Sequence, residues 1–260
     1  MKHQGQLAIV TGASSGIGLA LAVCAARDGY HLVIAANEPR IREAAEGLRD
    51  MGVGVDAVEA DLSTTEGADQ LIAALRGRPV DVLMANAGTG LRDGFLDQEW
   101  NSIRHVIDTN VTGTLYLLHQ VGQGMRARGA GRILITGSIA GFVPGAYNAV
   151  YNASKAFIDN FSFALRHEVK ESGVTVTCLM PGAVETDFFE RTHMEDTRLA
   201  HAPKQSPAEV AATGYAAMQR GDGDVVSGWL NKLQSAIAMV TPSGLLAAAH
   251  AKLAKPGSAA

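Results

Sequence analysis

A tyrosine and a lysine stand four residues apart, at Tyr151 and Lys155, within a stretch that is otherwise typical of a helix. Residues at this spacing share one face of a helix and lie one turn apart. A free phenol titrates near pH 10, and an ammonium about 4 Å away could lower its pKa by roughly 3 units before the opposing cost of burial. The pair therefore predicts a general acid/base that works near neutral pH, unless the two side chains only share a solvated face.

Two further polar residues could serve the same chemistry. Ser138 follows the apolar run "GRILIT", where a parallel strand would end at a cleft, and its hydroxyl could hold a substrate oxygen. A serine in isolation would more simply terminate the strand. Asn110 lies inside a long predicted helix, which is an unfavourable place for asparagine unless its side chain or a disturbed helix has a use.

A glycine turn near the start of the chain could bind phosphate. Gly12, Gly16 and Gly18 separate the apolar run "LAIV" from a helical stretch. Glycines permit a tight turn and a close backbone approach, and a helix N-terminus offers free N–H groups and a positive dipole end. The spacing is G-x-x-x-G-x-G rather than G-x-G-x-x-G, and the lysine of a P-loop is missing. The turn therefore predicts a pyrophosphate site of a different type.

The elements that must position these residues alternate along the chain. Predicted strands begin at Leu7, His31, Val53, Val80, Gly131, Val174 and Asp224. Near-continuous apolar strands separated by helical patterns indicate a parallel sheet covered on both faces. The predicted fold class is α/β: a doubly wound, Rossmann-like parallel sheet with helices on both faces, in a single domain over residues 1–260.

The longest predicted helices cover residues 98–128 and 147–172, and shorter ones cover 40–51 and 65–75. The helix over 147–172 carries too many apolar residues, including Phe157, Phe161 and Phe163, to be fully solvated. Core packing explains part of this apolar surface, and a subunit interface would explain the rest.

Composition excludes several classes of protein. The 260 residues are 47% hydrophobic and carry a net charge of −4 without a long basic run, so nucleic acid has no evident site. Cys24 and Cys178 lie among apolar residues with no metal-ligand spacing, which predicts two buried thiols in a reducing cytoplasm and no metal site. No apolar run reaches the about 18 residues of a membrane span.

The motifs together resemble the short-chain dehydrogenase/reductase family, in its compact single-domain branch. They are "TGASSGIG" at Thr11, "DL" at Asp61, "ANAG" at Ala85, "NVTG" at Asn110, "GS" at Gly137, "YNASK" at Tyr151 and "PGAVET" at Pro181. The resemblance spans residues 5–190 and implies that the tyrosine and lysine are catalytic. Ala85 departs from the family pattern, which often has a second asparagine there.

The resemblance implies roles for the four polar residues. Tyr151 would transfer the proton and Ser138 would position the oxygen. Lys155 would tune Tyr151 and bind the nicotinamide ribose, and Asn110 would anchor a water that links Lys155 to solvent. The implied enzyme moves a hydride between a nicotinamide coenzyme and a carbonyl or secondary alcohol. A dinucleotide-sensing regulator and a sugar-nucleotide epimerase or dehydratase are the alternatives.

The resemblance also implies the coenzyme contacts. These residues are Gly12, Ser14, Ser15, Gly16, Ile17, Gly18, Asn37, Arg40, Asp61, Leu62, Asn86, Ala87, Gly88, Tyr151, Lys155, Pro181, Gly182, Val184 and Thr186. Asp61 and Leu62 would lie beside the adenine, and Asn86 beside its ribose. The segment from Pro181 would close over the nicotinamide. Taken singly, several of these could form ordinary turns.

The choice of coenzyme depends on the end of the second strand. An NAD-preferring site usually places a carboxylate about 20 residues beyond the glycine turn, but Ala36 fills that position. Asn37 and Ser15 stand where NADP-preferring relatives often carry basic residues. Arg40 and Arg42 remain within reach of a 2′-phosphate, although Glu38 could oppose them and a solvated helix face is the alternative for both arginines. We therefore expect a modest NADP(H) preference, with NAD(H) also used.

Substrate and assembly are encoded less directly. The resemblance implies a pocket bordered by Phe142, Val143, Tyr147, Phe188 and Phe189, and a mobile lid over residues 183–205. The apolar lining predicts small-molecule ketones and alcohols of apolar or aromatic character, although core packing is an equal alternative for these side chains. The apolar extension 229–260 could dock on a second subunit, cover the pocket or lie on a membrane surface. A homodimer or homotetramer is expected.

Overall fold

Seven parallel strands form the central sheet of the computed structural model, which describes residues 3–259. The strands are β1 (Leu7–Thr11), β2 (His31–Ala36), β3 (Val55–Glu59), β4 (Val82–Ala85), β5 (Gly131–Thr136), β6 (Val174–Met180) and β7 (Asp224–Val226). All seven predicted strands are present, although β3 and β4 begin two residues later than predicted. The predicted α/β class, doubly wound and in a single domain, is confirmed.

The sheet order places the ends of two strands side by side at a crevice. The order is β3-β2-β1-β4-β5-β6-β7, so the chain reverses its direction of winding between β1 and β4. The register pairs Ile9 with Val33 on one side and with Leu83 on the other, and all three side chains are buried. In open α/β sheets, ligands bind beyond the carboxyl ends of the strands at such a reversal point.

Helices cover both faces of the sheet. They are α1 (Gly16–Asp28), α2 (Ile41–Arg49), α3 (Thr65–Ala74), α4 (Trp100–Ile107), α5 (Thr114–Arg128), α6 (Ala149–Val169), α7 (Phe188–Arg191), α8 (Pro207–Arg220), α9 (Trp229–Val240) and α10 (Ser243–Ala254). One apolar core forms beneath α1, α2 and α8, and a second forms beneath α3, α5 and α6. Each face thus buries an apolar layer, as strands without polar alternation require.

The predicted helix over 98–128 is interrupted at the site that Asn110 suggested. A π-helical segment, Asp108–Gly113, joins α4 to α5. A β-carbon at Gly113 would overlap the carbonyl oxygen of Leu62, so the bulge lies tightly against the chain after β3. π-Bulges occur frequently at functional sites, and this one buries the side chain of Asn110.

The two thiols differ in their burial. Cys178 is fully buried as predicted, but Cys24 is only partly buried because it lies at the edge of the first core. Burial raises the pKa of both thiols, which disfavours their thiolate forms. Across residues 3–259, no helix is both long and apolar enough to cross a membrane.

Candidate active site

The glycine turn after β1 has the shape of an anion cradle. Gly12 and Gly16 adopt φ values of +63° and +57°, which favour glycine. Ser15 precedes α1 as its N-cap, but its side chain makes no capping hydrogen bond. No acidic residue lies in the first turn of α1, so no carboxylate of that turn competes with a ligand for its free N–H groups and positive dipole end. These features fit the pyrophosphate of a dinucleotide.

Asn86 ties the glycine turn to the end of β4. Its backbone N–H donates to Thr11 Oγ1 at 2.9 Å, and its Nδ2 donates to the Thr11 carbonyl at 3.1 Å. Thr136 Oγ1 donates to Asn86 Oδ1 at 3.1 Å, which adds β5 to the same junction. The Asn86 side chain therefore fixes the crevice itself, and Ala87 and Gly88 follow it along the crevice wall.

Three of the four predicted catalytic residues meet at the carboxyl end of β5. The Nζ of Lys155 lies 5.9 Å from the ring centroid of Tyr151 and donates to the Thr136 carbonyl at 2.8 Å. Ser138 is buried, and its Oγ accepts from the backbone N–H of Ala140 at 3.1 Å. Ser138 also lowers the pKa of Tyr151, against the larger effect of burial. The predicted grouping is therefore present.

The predicted lowering of the Tyr151 pKa was wrong for this state of the protein. Burial raises the pKa of Tyr151 to about 12, and the charge of Asp159 adds to that rise, while Ser138 opposes it. Lys155 directs its ammonium to a backbone carbonyl and lies over the tyrosine ring, so it does not counter the desolvation of the phenolate. Burial also disfavours the charged form of Lys155. It therefore lowers the pKa of Lys155, although the negative charge of Asp159 acts in the opposite direction.

Asn110 joins the π-helical segment to the catalytic helix α6. Its Nδ2 donates to Ser154 Oγ at 2.9 Å and to the Thr89 carbonyl at 2.8 Å, and its Oδ1 accepts from the Thr89 N–H at 2.8 Å. Ser154 in turn donates to the Tyr151 carbonyl at 2.7 Å. Sequence reasoning missed Ser154, although it lies within the "YNASK" motif.

Asn110 and Lys155 flank the same glycine. A β-carbon built on Gly88 would lie 3.3 Å from Asn110 Oδ1 and 3.5 Å from Lys155 Nζ. The amide oxygen and the ammonium therefore both lie beside Gly88.

Asp159 is a buried carboxylate behind the site that sequence reasoning missed. Its Oδ1 accepts from the Ser138 N–H at 3.3 Å and from Cys178 Sγ at 3.5 Å, while its Oδ2 has no hydrogen-bond partner. Glycines at 137 and 141 leave the space that it fills, since a β-carbon at either would overlap it. Burial raises its pKa to about 6, against the lowering effect of Lys155. The sequence signal that could have found Asp159 is its position four residues after Lys155, which places both side chains on one face of α6.

The segment over residues 183–205, predicted above to be a lid, brings an aromatic ring onto Tyr151. The centroid of Phe188 lies 5.2 Å from that of Tyr151, at an interplanar angle of 49°. Phe189 instead packs with Met194 and Ala200 in a small apolar core within this segment. Of the two phenylalanines predicted to border the pocket, Phe188 is the one that packs on Tyr151. Phe142, Val143 and Tyr147 lie in the partly exposed loop between Ser138 and Tyr151. Tyr147 adopts φ +66°, a strained conformation that is common at functional sites.

The C-terminal extension contacts the same loop and the lid of its own chain. His250 on α10 hydrogen bonds to the Ala146 carbonyl at 3.0 Å through Nδ1. Asp196, in the lid, accepts from the Gly257 N–H at 2.9 Å and pairs with Arg92 at 2.9 Å. Although burial opposes the effect, Gly257 and Arg92 hold the pKa of Asp196 below its usual range. The extension therefore packs beside the predicted pocket of its own chain, while apolar side chains such as Trp229 and Leu245 stay exposed on its outer side.

Several other predicted coenzyme residues line the strand ends. Asp61 is exposed after β3 and accepts from the Ser63 N–H at 2.9 Å, while Leu62 beside it is buried. Pro181 is buried after β6, and its carbonyl accepts from Ser138 Oγ at 3.4 Å. The predicted coenzyme residues that follow Pro181 are placed one by one. Gly182 lies against Asn231 of α9, Val184 forms an isolated β-bridge with Gln205, and Thr186 lies against Gly16.

The basic residues near the end of β2 are each paired with a carboxylate. Arg42 pairs with Glu59 at 2.9 Å, and Arg40 pairs with Asp187 of the lid at 2.9 Å. Asn37 is exposed directly after β2. Arg191, which sequence reasoning missed, approaches the glycine turn from α7, 176 residues from its partner Ser15. No local spacing could have indicated that contact.

Comparisons with known proteins place this geometry in one family. The sequence profile of short chain dehydrogenases matches residues 6–196. An uncharacterized oxidoreductase of Myxococcus xanthus is 33% identical over 249 residues, covering 95% of this chain and 96% of that protein.

Two solved structures are similar across most of the chain. A short-chain dehydrogenase from Sphingobium yanoikuyae, in complex with NADPH, has a TM-score of 0.81 at 27% identity and covers 91% of this chain and 96% of its own. L-Sorbose reductase from Gluconobacter frateurii, complexed with NADPH and L-sorbose, has a TM-score of 0.76 at 30% identity, with 88% and 99% covered.

The chain belongs to the short-chain dehydrogenase family. It is an NAD(P)-dependent oxidoreductase that acts on the CH–OH or C=O group. Within residues 3–259, no cluster of three or more His, Cys, Asp or Glu side chains could hold a metal ion.

Proposed function

We propose that the protein transfers a hydride between a nicotinamide coenzyme and a carbonyl or secondary alcohol of apolar or aromatic character. The observation that carries this proposal is the meeting of Ser138, Tyr151 and Lys155 at the carboxyl end of β5, beside the glycine turn. A regulator that only senses the coenzyme would need the turn but not this set of proton-handling groups.

The protein's own groups would handle the oxygen and the proton. When bound, the nicotinamide coenzyme supplies or accepts the hydride. Ser138 would donate a hydrogen bond to the substrate oxygen, and Tyr151 would deliver a proton to that oxygen during reduction. Lys155 would hold the nicotinamide ribose.

Asn110 would complete a path for that proton. Its amide oxygen lies beside Gly88, as the Lys155 ammonium does, and one acceptor lone pair of Oδ1 remains for a water beside the Thr89 hydrogen bond. The water would connect Lys155 with solvent, as the family resemblance implies. The π-helical bulge is what turns the amide toward this position.

The coenzyme would lie along the predicted residues, with Gly12 to Gly18 on its pyrophosphate and the Pro181 segment over its nicotinamide. We propose a modest preference for NADP(H), because Ala36 leaves no carboxylate at the usual discriminating position. Both similar structures described above are complexes with NADPH.

The apolar substrate class is supported by Phe188 packing on Tyr151, with Phe142 and Val143 on the loop that precedes it. The competing class is a polyol or sugar, since L-sorbose reductase is among the similar structures. A charged sugar nucleotide fits less well, because the lid would place an aromatic ring where polar groups need partners. An epimerase or dehydratase is therefore the weaker alternative.

A substrate panel tests this function. Purified protein is mixed with NADPH or NADH and with matched sets of aryl ketones, aliphatic ketones, ketoses and sugar nucleotides. We expect NADPH oxidation to be fastest with the aryl and aliphatic ketones, and kcat/KM with NADPH to exceed that with NADH by about two- to tenfold. A panel in which the ketoses react fastest would contradict the substrate class, and binding of coenzyme without any turnover would favour the regulator.

We also propose a cytoplasmic homodimer or homotetramer. Exposed apolar residues on the outer helices support a subunit interface: Trp100 is 64% exposed, and Phe157 on α6 is 46% exposed. Sedimentation velocity is expected to give a species of at least two subunits at micromolar concentration. A monomer under those conditions would contradict the proposal.

A further inference from the structure

An arginine of the lid reaches the glycine turn from across the crevice. Arg191 ends α7, and its Nη2 lies 3.2 Å from Ser15 Oγ and 2.9 Å from Glu38 Oε1. Glu38 also accepts a hydrogen bond from Ser14 Oγ. The four side chains therefore form one polar cluster above the turn, with a single positive and a single negative charge.

This cluster occupies the place where two coenzymes differ. In dinucleotide-binding folds, the end of β2 faces the adenosine ribose, whose 2′ position carries a hydroxyl in NAD(H) and a phosphate in NADP(H). Glu38 follows β2 by two residues, and Ser15 is the N-cap of α1 with no capping hydrogen bond of its own. Arg191 thus points at the ribose end of the cradle, although it comes from the opposite wall.

The other charges nearby are already paired. Arg40 binds Asp187 at 2.9 Å, and Asp187 lies 3.6 Å from Arg191. Arg42 turns away to Glu59. Arg191 and Glu38 are 46% and 30% exposed in their side chains, and a pair this accessible typically shifts an equilibrium by no more than about fivefold. A phosphate dianion that accepts charge-assisted hydrogen bonds can displace such a partner.

We propose that Arg191 selects the coenzyme: its guanidinium binds the adenosine 2′-phosphate of NADP(H), while Glu38 opposes that phosphate and accepts from the 2′-hydroxyl of NAD(H). This inference rests on the proposed function, because it assigns a selectivity residue to the same crevice. It explains how the site would bind NADP(H) although positions 15 and 37 are occupied by serine and asparagine and not by basic residues. It also makes coenzyme selectivity depend on the closed position of the lid.

Binding measurements separate this role from a general effect on the lid. Wild type, Arg191→Gln, Glu38→Gln and Arg42→Gln are titrated with NADPH and NADH by fluorescence. They are also titrated with adenosine 2′,5′-bisphosphate and adenosine 5′-monophosphate by calorimetry. Arg42→Gln is the matched control, because it removes the same charge from a neighbouring arginine that faces Glu59.

For Arg191→Gln we expect NADPH and the bisphosphate to bind about 10- to 100-fold more weakly, the range for one charge-assisted hydrogen bond, with NADH and the monophosphate within about threefold. Glu38→Gln is expected to tighten the bisphosphate and to weaken NADH. Equal losses for both coenzymes in Arg191→Gln, or no loss for either, would overturn the inference while leaving the proposed function intact. A wild type that binds neither coenzyme would overturn both.

Discussion

Replacing Tyr151 with phenylalanine is expected to lower kcat for carbonyl reduction by about 10²- to 10⁴-fold, the usual contribution of a positioned proton donor. The substitution removes only the hydroxyl, so the ring still packs on Phe188 and coenzyme affinity should stay within about threefold of wild type. Tyr116→Phe is the matched control, because that hydroxyl donates to Asp69 on the surface at 2.7 Å. A Tyr151→Phe enzyme that kept a tenth of the wild-type kcat would contradict the assignment.

The pH dependence of the two directions follows from the same group. Burial raises the pKa of Tyr151 to about 12, so the phenol is protonated at every pH at which the enzyme is assayed. Reduction needs the protonated form and should be flat between about pH 6 and 9. Oxidation needs the phenolate, whose fraction rises tenfold per pH unit below the pKa, and its rate should rise accordingly. An oxidation rate that levels off near pH 7 would show that the coenzyme-bound site lowers the Tyr151 pKa after all.

The elements of the fold could be predicted because each strand is a short, near-continuous apolar run. In β1, all five residues are buried, and the helices between strands repeat an apolar face. The interruption at Asn110 was also foreseeable, since asparagine disfavours a helix interior, and both N–H groups of its amide are hydrogen bonded in the structure. These strands, helices and the interruption at Asn110 could be predicted because local sequence preference agrees with the final structure there.

The electrostatics of the site could not be predicted from spacing. Tyr151 and Lys155 are one turn apart, as expected, but the sign of the pKa shift depends on burial and on where the ammonium donates. The contact between Arg191 and Ser15 could not be predicted either, because the two residues lie 176 positions apart in the sequence. Such contacts arise only from the packing of the whole chain.

Asp159 presents the second large expected effect, this time on stability. Its ordinary pKa of 3.8 is raised to about 6 in the folded protein by burial, which outweighs the attraction of Lys155 and the hydrogen bonds from Ser138 and Cys178. Between pH 3.8 and about pH 6, Asp159 is therefore largely protonated in the folded state and largely ionised in the unfolded chain. The free energy of unfolding therefore falls as pH rises through this window and stays low above it.

Asp159→Asn should remove that loss. Asparagine keeps an oxygen that can accept from the Ser138 N–H, and it cannot ionise. A difference of two pKa units corresponds to about 3 kcal/mol of unfolding free energy at high pH. The variant also loses the negative charge that raises the pKa of Lys155, so its greater stability should come with a weaker hold on the lysine proton.

Urea unfolding at a fixed protein concentration measures the effect. The free energy of unfolding of Asp159→Asn minus that of wild type should increase by about 2 kcal/mol between pH 4.5 and pH 8. Asp97→Asn is the matched control, because it makes the same change at an exposed carboxylate on a short 3₁₀ helix. If the Asp159→Asn difference were the same at both pH values, the carboxylate would titrate alike in the folded and unfolded chain. The pH-independent part then reports the exchange of the unpartnered Oδ2 for an amide in the same space, together with the loss of the negative charge beside Lys155.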